Sequence, residues 1–420
     1  MVRKQKTDLE VVAGVDVHQS LYEVCLLDRR GRGRSKVESR SFGTMAKDID
    51  ELKAWLLDRK CSHAGMEATG VYWRPLHAAL ETHMVVQVAN PVHVKVMRGH
   101  KTDRKDAEWI ARKVLDGEFR SSFIPSAPFR DLRDWVRFRK QLIEARTAIR
   151  NSITQLLEQA GIKLASALSN IYGVSGMAML RAISKGECDP KALAQLAQRR
   201  AKHKKPLIEA ACAAQLNLAQ RAMLAQQLER LDQLEDQVDQ VEKQIDQGLA
   251  PFSEQAGRLR KIPGVDRQTI AVVIGELGVD LSAFPSAQKL ASWVGLCPGN
   301  NESAGRQKSS RCRHGNPYLR WVLMEAALGA ARTRNSWFKS VFHRLNARRG
   351  YKRAAIAIAH KLLVVIYKML TTGEEYREMA TSPEQAKQKQ REGKNLLRRL
   401  RGLGYQVQIL ETPKTALDDS

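Results

Sequence analysis

The hydrophobic pattern divides the chain into a mixed α/β part and a longer helical part. Up to about residue 125, short valine-rich runs alternate with amphipathic segments, which predicts the order β-β-β-α-β-α-β-α. The predicted elements are two strands within residues 11–28, a strand at 35–42, a helix at 45–59, a strand ending at Glu67, a helix at 72–81, a strand at 85–89 and a helix that begins near residue 103. Residues 1–125 are therefore predicted to form an α/β domain.

Helical periodicity dominates the residues that follow. Residues 126–250 form a predicted helical middle region, in which apolar residues recur at intervals of seven (Leu224, Leu231, Val238 and Ile245). This heptad row is typical of a coiled-coil seam. A dimer, an antiparallel helical hairpin and a single amphipathic helix on the protein's own core would each satisfy the pattern.

Residues 251–375 are predicted to form a third, mainly α-helical domain, and residues 376–420 a basic accessory tail. Two helical segments flank the turn Ile262-Pro-Gly-Val265, an arrangement that resembles a helix-hairpin-helix. The turn amides of such a unit hold a phosphate without reading bases. A plain helical turn is the alternative interpretation.

The composition adds a strong positive charge to this picture. The 420 residues carry a formal net charge of +25, and the pI is about 10.0. This balance predicts a polyanionic partner, with nucleic acid favoured over an acidic membrane surface. No apolar run reaches the ~18 residues of a membrane span, and the N-terminus lacks the apolar core of a signal peptide. We therefore expect a cytoplasmic protein, and its six scattered cysteines favour reduced thiols over disulfides or zinc ligands.

Four carboxylates are candidate metal ligands. Asp103 and Asp106 lie a turn apart on one face of a predicted helix, where a divalent cation would offset their repulsion. Asp16 interrupts an otherwise apolar strand, where a lone buried charge costs several kcal/mol, and Glu67 ends a later strand. Carboxylates gathered at one edge of a sheet suit two-metal phosphoryl transfer with Mg²⁺. Helix capping or solvent exposure is the alternative explanation for each acid taken singly.

A polar stretch of about twenty residues interrupts the helical pattern near 297–317, and loops of that length are often functional. Ser303 lies in this predicted loop beside several cations, so its hydroxyl could attack a phosphodiester. A turn or solvated serine is the alternative. Helices after this loop carry many arginines and offer the best nucleic-acid surface in the chain.

Several short motifs, taken in order, resemble the DEDD transposases of the 110-type insertion sequences, which are bridge-RNA-guided recombinases. The N-terminal motifs are Gly14-Val-Asp16-Val-His18, Glu67-Ala-Thr-Gly-Val-Tyr72, Ala89-Asn-Pro91 and Lys101-Thr-Asp-Arg-Lys-Asp-Ala107. The C-terminal motifs are Ile262-Pro-Gly-Val265, Gly295-Leu-Cys-Pro298, Ser303-Ala-Gly305 and Gly315-Asn-Pro-Tyr-Leu-Arg320. One departure is Ala304, because many relatives have glycine directly after the serine.

The resemblance implies an RNase-H-like (RuvC-like) N-terminal domain, with Asp16, Glu67, Asp103 and Asp106 holding Mg²⁺. It also implies that Ser303, in a C-terminal serine transposase domain, is a nucleophile that forms a transient covalent link to DNA. The partners would be donor and target double-stranded DNA, a structured guide RNA and further copies of the chain, as dimers and tetramers. No membrane partner is expected, and the active bacterial protein would associate with the nucleoid.

Nucleic-acid contacts are expected from basic residues next to the two chemical sites: Lys101, Arg104, Lys105, Arg306, Lys308, Arg311, Arg313 and Arg320. Two other functions remain compatible with the residues. One is a metal-only, structure-specific DNA nuclease of the junction-resolvase type. The other is a non-catalytic nucleic-acid-binding scaffold whose acids only cap helices.

Overall fold

A computed structural model describes residues 9–30, 35–89, 103–298, 301–303, 306–309, 311–378 and 395–405 of the chain. The chain separates into two compact units, Met1–Ile124 and Pro125–Ser420. The finer division of the second unit into a middle region, a C-terminal domain and a tail stays a prediction.

Unit 1 contains a five-stranded mixed sheet with helices. The strands are β1 (Val11–Val17), β2 (Leu21–Asp28), β3 (Lys36–Gly43), β4 (His63–Glu67) and β5 (Val85–Ala89), and the helices are α1 (Ala46–Asp58), α2 (Trp73–Leu80) and α3 (Asp103–Leu115). The sheet order is β3-β2-β1-β4-β5. The first three strands of that order are antiparallel, whereas β1, β4 and β5 run parallel. The predicted sequence of strands and helices is therefore confirmed for the described residues.

The two faces of this sheet are covered by different helices. Val11, Val15 and Val17 point to a core shared with α1 and α2. Val12 points to the opposite face, where it packs with residues of α3. The alternation follows from the strand period of two.

Unit 2 is largely helical. Its elements are α4 (Ala127–Gln159), α5 (Leu164–Ala167), α6 (Val174–Ser184), α7 (Pro190–Gln195), a 3₁₀ helix (Arg199–Lys204), α8 (Lys205–Ala211), α9 (Leu218–Leu249), a 3₁₀ turn (Ala250–Phe252), α10 (Ser253–Leu259), α11 (Arg267–Leu277), α12 (Ala287–Val294), β6 (Asn301–Ser303), β7 (Arg306–Ser309), α13 (Pro317–Arg332), α14 (Trp337–Arg349) and α15 (Tyr351–Thr372). Residues 395–402 are also helical.

The heptad row belongs to α9, which packs antiparallel to α4 in the same chain. Arg150 of α4 pairs with Glu235 of α9 at 2.8 Å. Arg139, which lies nearer the start of α4, pairs with Glu242, which lies nearer the end of α9. The residues of the row are buried, and its first half packs with the end of α4. The structure shows the row packed within the chain, in an antiparallel pair of helices that are separated by residues 160–217 and so do not form a hairpin. The coiled coil and dimerisation stay predictions.

Helix α15 corrects the expectation that no apolar segment reaches the length of a membrane span. By length and composition alone it could cross a membrane, with a mean hydropathy of 1.6. However, 44% of the apolar window is buried inside the protein. Ile358, Leu362 and Ile366 are fully buried, and the Tyr367 hydroxyl donates to the Phe284 carbonyl at 2.9 Å. Packing in the core of unit 2 accounts for the apolar character of this helix.

Candidate active site

The register of the sheet brings Asp16 and Glu67 side by side. Strands β1 and β4 run parallel, with Val15 opposite Met66, so the next pair along these strands is Asp16 and Glu67. Neighbouring strands lie ~4.7–4.9 Å apart, and paired residues point to the same face. Both carboxylates therefore stand towards the carboxyl ends of adjacent strands, and their role as metal ligands stays a prediction.

Helix α3 covers the face on which these two acids lie. A side chain at Gly14 would meet the backbone of Ala107 and Ala111, whereas Val12, further back on β1, packs with Val114 and neighbouring residues. The helix therefore runs antiparallel to β1, and its first turn lies towards the end that carries Asp16.

That first turn contains the remaining two predicted ligands. Asp106 is half-buried, on the side of α3 that faces the sheet. Asp103 begins the helix, and its side chain lies outside the described residues. The backbone thus directs four acidic positions to one edge of the sheet, although they are up to ninety residues apart in sequence.

The side chains do not form a ready-made metal cage. Among the side chains that the structure describes, which exclude Asp103, no three Asp, Glu, His or Cys residues are grouped closely enough to hold a metal ion. Asp16 is only 7% exposed, and its Oδ2 lies 3.1 Å from Nε2 of His18. The donors present are hard carboxylate oxygens, which are the ligand type that Mg²⁺ prefers.

Glu23 is an acidic neighbour of this site that the sequence analysis missed. It lies opposite Asp16 in the β1–β2 register and opposite Ser41 in the β2–β3 register. Its side chain is buried, and Ser41 Oγ donates to Glu23 Oε1 at 2.6 Å. Among the described residues, Glu23 Oε2 accepts no hydrogen bond, and Nε of Arg104 lies 3.9 Å away. The signal was available, because Glu23 interrupts an apolar strand just as Asp16 does.

Two buried carboxylates directly opposite each other on one sheet face repel. Cations are therefore favoured at this edge, and the guanidinium of Arg104 already approaches it. The side chain of Arg104 is 71% exposed, and that of Lys105 is exposed, so both are accessible to a phosphate backbone. Lys101 lies outside the described residues, and the contacts of all three with nucleic acid stay predictions.

The predicted loop around Ser303 contains a two-stranded hairpin. Strand β6 pairs antiparallel with β7, and Ser303 lies opposite Arg306. A bridge between Pro298 and Cys312 closes the hairpin at its base. The prediction of a loop was incomplete here, because short polar strands lack the apolar alternation that marks a strand in sequence.

The side chains of residues 301–309 lie outside the described residues, so the surroundings of the Ser303 hydroxyl and of the predicted contacts Arg306 and Lys308 are not defined. Arg311 and Arg313 are exposed after the hairpin, and Arg320 is half-buried in α13. These positions keep their role as predicted nucleic-acid contacts.

The helix-hairpin-helix prediction is neither confirmed nor excluded. Helices α10 and α11 flank the predicted turn, in which the Val265 N–H donates to the Ile262 carbonyl at 3.1 Å. Asp266 caps α11 by accepting the Thr269 N–H at 2.8 Å. One amide that a phosphate would use is thus already satisfied by a carboxylate.

Two families match the chain in the same order as its units. The transposase family DEDD_Tnp_IS110 matches residues 13–162. The family described as Transposase IS116/IS110/IS902 matches residues 256–343. The first match spans Asp16, Glu67, Asp103 and Asp106, and the second spans Ser303.

Similar proteins include the transposase for insertion sequence element IS1111A of Coxiella burnetii, which is 24% identical over 89% of this chain and 93% of its own length. A putative transposase of Sinorhizobium fredii, y4pF/y4sB, is 27% identical over 70% of this chain and 67% of its own length. A pilin gene-inverting protein of Moraxella bovis is 30% identical over 28% of this chain and 38% of its own length.

Among solved structures, RuvC of Thermus thermophilus matches 28% of this chain and 84% of its own chain, with 19% identity and a TM-score of 0.18. That score is too low to support an argument about the fold. The two family matches together span more than half of the chain. On this basis the chain belongs to the IS116/IS110/IS902 family of transposases and is a DNA transposase or recombinase.

Proposed function

We propose that this transposase cuts and rejoins DNA with two chemical groups, an acidic Mg²⁺ site in unit 1 and the hydroxyl of Ser303 in unit 2. The observation that carries the proposal is the register that places Asp16 beside Glu67, on the face covered by α3. The sheet order, with three antiparallel strands continued by two parallel ones, supports an RNase-H-like (RuvC-like) fold for unit 1.

In this proposal Asp16, Glu67, Asp103 and Asp106 hold the metal. When bound, Mg²⁺ supplies positive charge that polarises the scissile phosphate and neutralises charge that develops there. The four acids provide oxygen ligands at positions that the backbone fixes. Asp16 is buried, so few water molecules compete with the metal for its carboxylate. Arg104 and Lys105, both exposed at the start of α3, would position the DNA backbone beside this site.

Ser303 would perform the covalent step. Its Oγ forms a bond to phosphorus while the bond from phosphorus to the leaving sugar oxygen breaks, and the serine proton ends on that oxygen. Attack by a new DNA hydroxyl on the serine-linked phosphorus reverses the chemistry and releases Ser303. The number of phosphoester bonds is conserved, so rejoining requires no external energy source.

A relative's function favours rejoining over simple hydrolysis. The Moraxella bovis relative is named for inverting a pilin gene, and inversion requires that cut ends be joined again. The metal-only nuclease remains the second candidate, because the acidic site alone could hydrolyse DNA. The non-catalytic scaffold predicts no strand cleavage with any metal.

Guidance by a bridge RNA and assembly into dimers or tetramers complete the proposal. The net charge of +25 supports nucleic-acid partners in general and suits RNA as well as DNA. Residues 126–250 stay the proposed oligomerisation region, which would use surfaces other than the heptad row of α9, because that row is buried within the chain. A cytoplasmic location at the nucleoid follows from this role. Purifying the full chain with its bound nucleic acid, and sequencing that nucleic acid, should yield a discrete RNA from the flank of the encoding element.

The chemical test is the capture of a covalent adduct. Wild-type protein with Mg²⁺, the nucleic acid that co-purifies with it and the element's DNA should give a protein–DNA species that survives denaturing gels. We expect Ser303→Ala to abolish it and Ser309→Ala, a matched change in the same hairpin, to retain it. An adduct that persists in Ser303→Ala would reject the nucleophile, and full Mg²⁺-dependent cleavage by Asp16→Asn would reject the metal site.

A further inference from the structure

We propose that Glu276 is a positioning residue for the hairpin that carries Ser303, and that it acts through the side-chain amide of Asn316. This inference rests on the proposed function, because the hairpin matters for catalysis only if Ser303 is the nucleophile. Neither residue belongs to the acidic site, and both lie in unit 2.

Glu276 is a fully buried carboxylate near the end of α11, with 0% exposure. Arg137 of α4 donates from Nε to Oε1 at 2.7 Å and from a terminal nitrogen to Oε2 at 2.9 Å. Nε of Arg133 lies 3.0 Å from Oε2 as an ion pair, although its alignment does not meet the geometry of a hydrogen bond. Arg133 also donates to the Glu276 carbonyl at 3.0 Å. Two cations on α4 thus fix the carboxylate.

Asn316 connects this buried carboxylate to the hairpin. Its Nδ2 donates to Glu276 Oε2 at 2.7 Å. Its Oδ1 accepts the backbone N–H groups of Tyr318 and Leu319 at 3.0 and 3.1 Å, which caps α13. The nitrogen of this amide therefore binds Glu276 of α11, while its oxygen caps α13. Asn316 thus connects the two helices shortly after the chain leaves the hairpin.

The two chain segments at the base of the hairpin pack against each other next to Asn316. A side chain at Gly295 (φ +81°) would meet the Arg313 carbonyl at 2.7 Å, so the two arms of the base are packed backbone to backbone. The Arg313 N–H donates to the Cys297 carbonyl, and the Asn316 N–H donates to the Trp293 carbonyl, each at 3.3 Å. A shift of Asn316 would therefore carry the hairpin with it.

Capping alone does not explain an asparagine at this position. Aspartate caps helices as well as asparagine does, yet an ionised aspartate has no donor for Glu276, whereas the asparagine amide has one. Aspartate at 316 would keep the cap but place a second carboxylate against Glu276. Asn217 offers a matched control, because its side chain caps α9 by accepting the Gln220 N–H at 2.8 Å, and no carboxylate in the described part of the chain accepts a hydrogen bond from it.

The test compares Asn316→Asp, Asn217→Asp and Glu276→Gln in the full chain. We measure the rate of adduct formation at saturating DNA, DNA affinity, thermal stability and amide hydrogen exchange in residues 295–316.

We expect Asn316→Asp to slow adduct formation on the order of 100-fold, which is the effect of a misplacement of about 1 Å. DNA affinity should stay unchanged, and exchange of the hairpin-base amides should accelerate. Asn217→Asp should behave as the wild type. Glu276→Gln should resemble Asn316→Asp.

Wild-type adduct rates in Asn316→Asp, while Ser303→Ala is inactive, would overturn this inference and leave the proposed function standing. A rate loss equal to that of Leu323→Ala, a core variant chosen at matched thermal stability, would also overturn it, because a general loss of stability would then suffice. If Ser303→Ala retains the adduct, the proposed function fails. Hydrogen exchange still decides whether Glu276 and Asn316 fix the hairpin.

Discussion

Gly14→Ala tests whether the position of α3 controls the acidic site. A Cβ at residue 14 would lie 2.2 Å from the carbonyl oxygen of Ala107 and 2.3 Å from the backbone nitrogen of Ala111. Non-bonded heavy atoms prefer ~3.5–4.0 Å, so strand and helix must separate by about 1 Å or more. Both obstructing atoms belong to the backbone, and no side-chain rotation can relieve the contact. Overpacking of this kind costs ~1–3 kcal/mol of folding free energy.

The displacement would move Asp103 and Asp106 away from Asp16 and Glu67. A misplacement of about 1 Å lowers a catalysed rate on the order of 100-fold. We therefore expect Gly14→Ala to fold with a reduced melting temperature, to bind Mn²⁺ more weakly in calorimetry, and to lose about 100-fold in Mg²⁺-dependent cleavage at saturating DNA.

Gly257→Ala is the matched control, because a Cβ at that position meets nothing within 4 Å. It should retain metal binding and cleavage. A Gly14→Ala protein that is clearly destabilised, yet binds Mn²⁺ and cleaves DNA as the wild type does, would refute the reasoning, since the helix would have moved without affecting the chemistry.

Three further predictions concern single groups. Glu23→Gln should raise the melting temperature in EDTA, by relieving a cross-strand repulsion of ~0.2–1 kcal/mol, and should shrink the additional stabilisation by Mg²⁺; an unchanged metal response would separate Glu23 from the site. Partial burial raises the pKa of Glu242, but hydrogen bonds from Arg267 and Arg139 outweigh it and leave that pKa below its usual value. The stability Glu242 contributes is therefore complete above its unfolded pKa of ~4.3 and lost as pH falls through the folded pKa, so urea unfolding of wild type and Glu242→Gln should converge in acid but not at pH ~7. Cys188 is exposed, whereas Cys297 and Cys312 are half-buried and the other three cysteines are buried. Cys188→Ser should therefore remove the fastest phase of thiol labelling, and persistence of that phase would contradict this order of exposure.

The sequence predicted the elements of unit 1 well, because its strands are short apolar runs separated by amphipathic helices. It also identified Asp16 and Glu67 as strand acids. What it lacked was the pairing of strands, since sheet register depends on contacts between distant residues. Glu23 interrupts an apolar strand as Asp16 does, so the sequence could have marked it as a strand acid, but only the β1–β2 register shows that it faces Asp16.

In unit 2, too, the sequence did not show which distant residues pack together. The heptad row predicts that an apolar surface packs against α9, but the pattern is the same whether that surface belongs to α4 or to another chain. Glu276 stands in an otherwise apolar helix, and a buried carboxylate there requires partners. Its partners, Arg137 and Asn316, come from elements about 140 and 40 residues away in sequence, so local pattern could not name them.

The most direct test of the account is a crystal of the full chain soaked in Mn²⁺ and measured for anomalous scattering. The account predicts a Mn²⁺ peak among Asp16, Glu67 and the first turn of α3, and it predicts that the peak disappears in Asp16→Asn. A protein that cleaves DNA with Mn²⁺ while its crystals show the ion elsewhere, or show it unchanged in Asp16→Asn, would contradict the account.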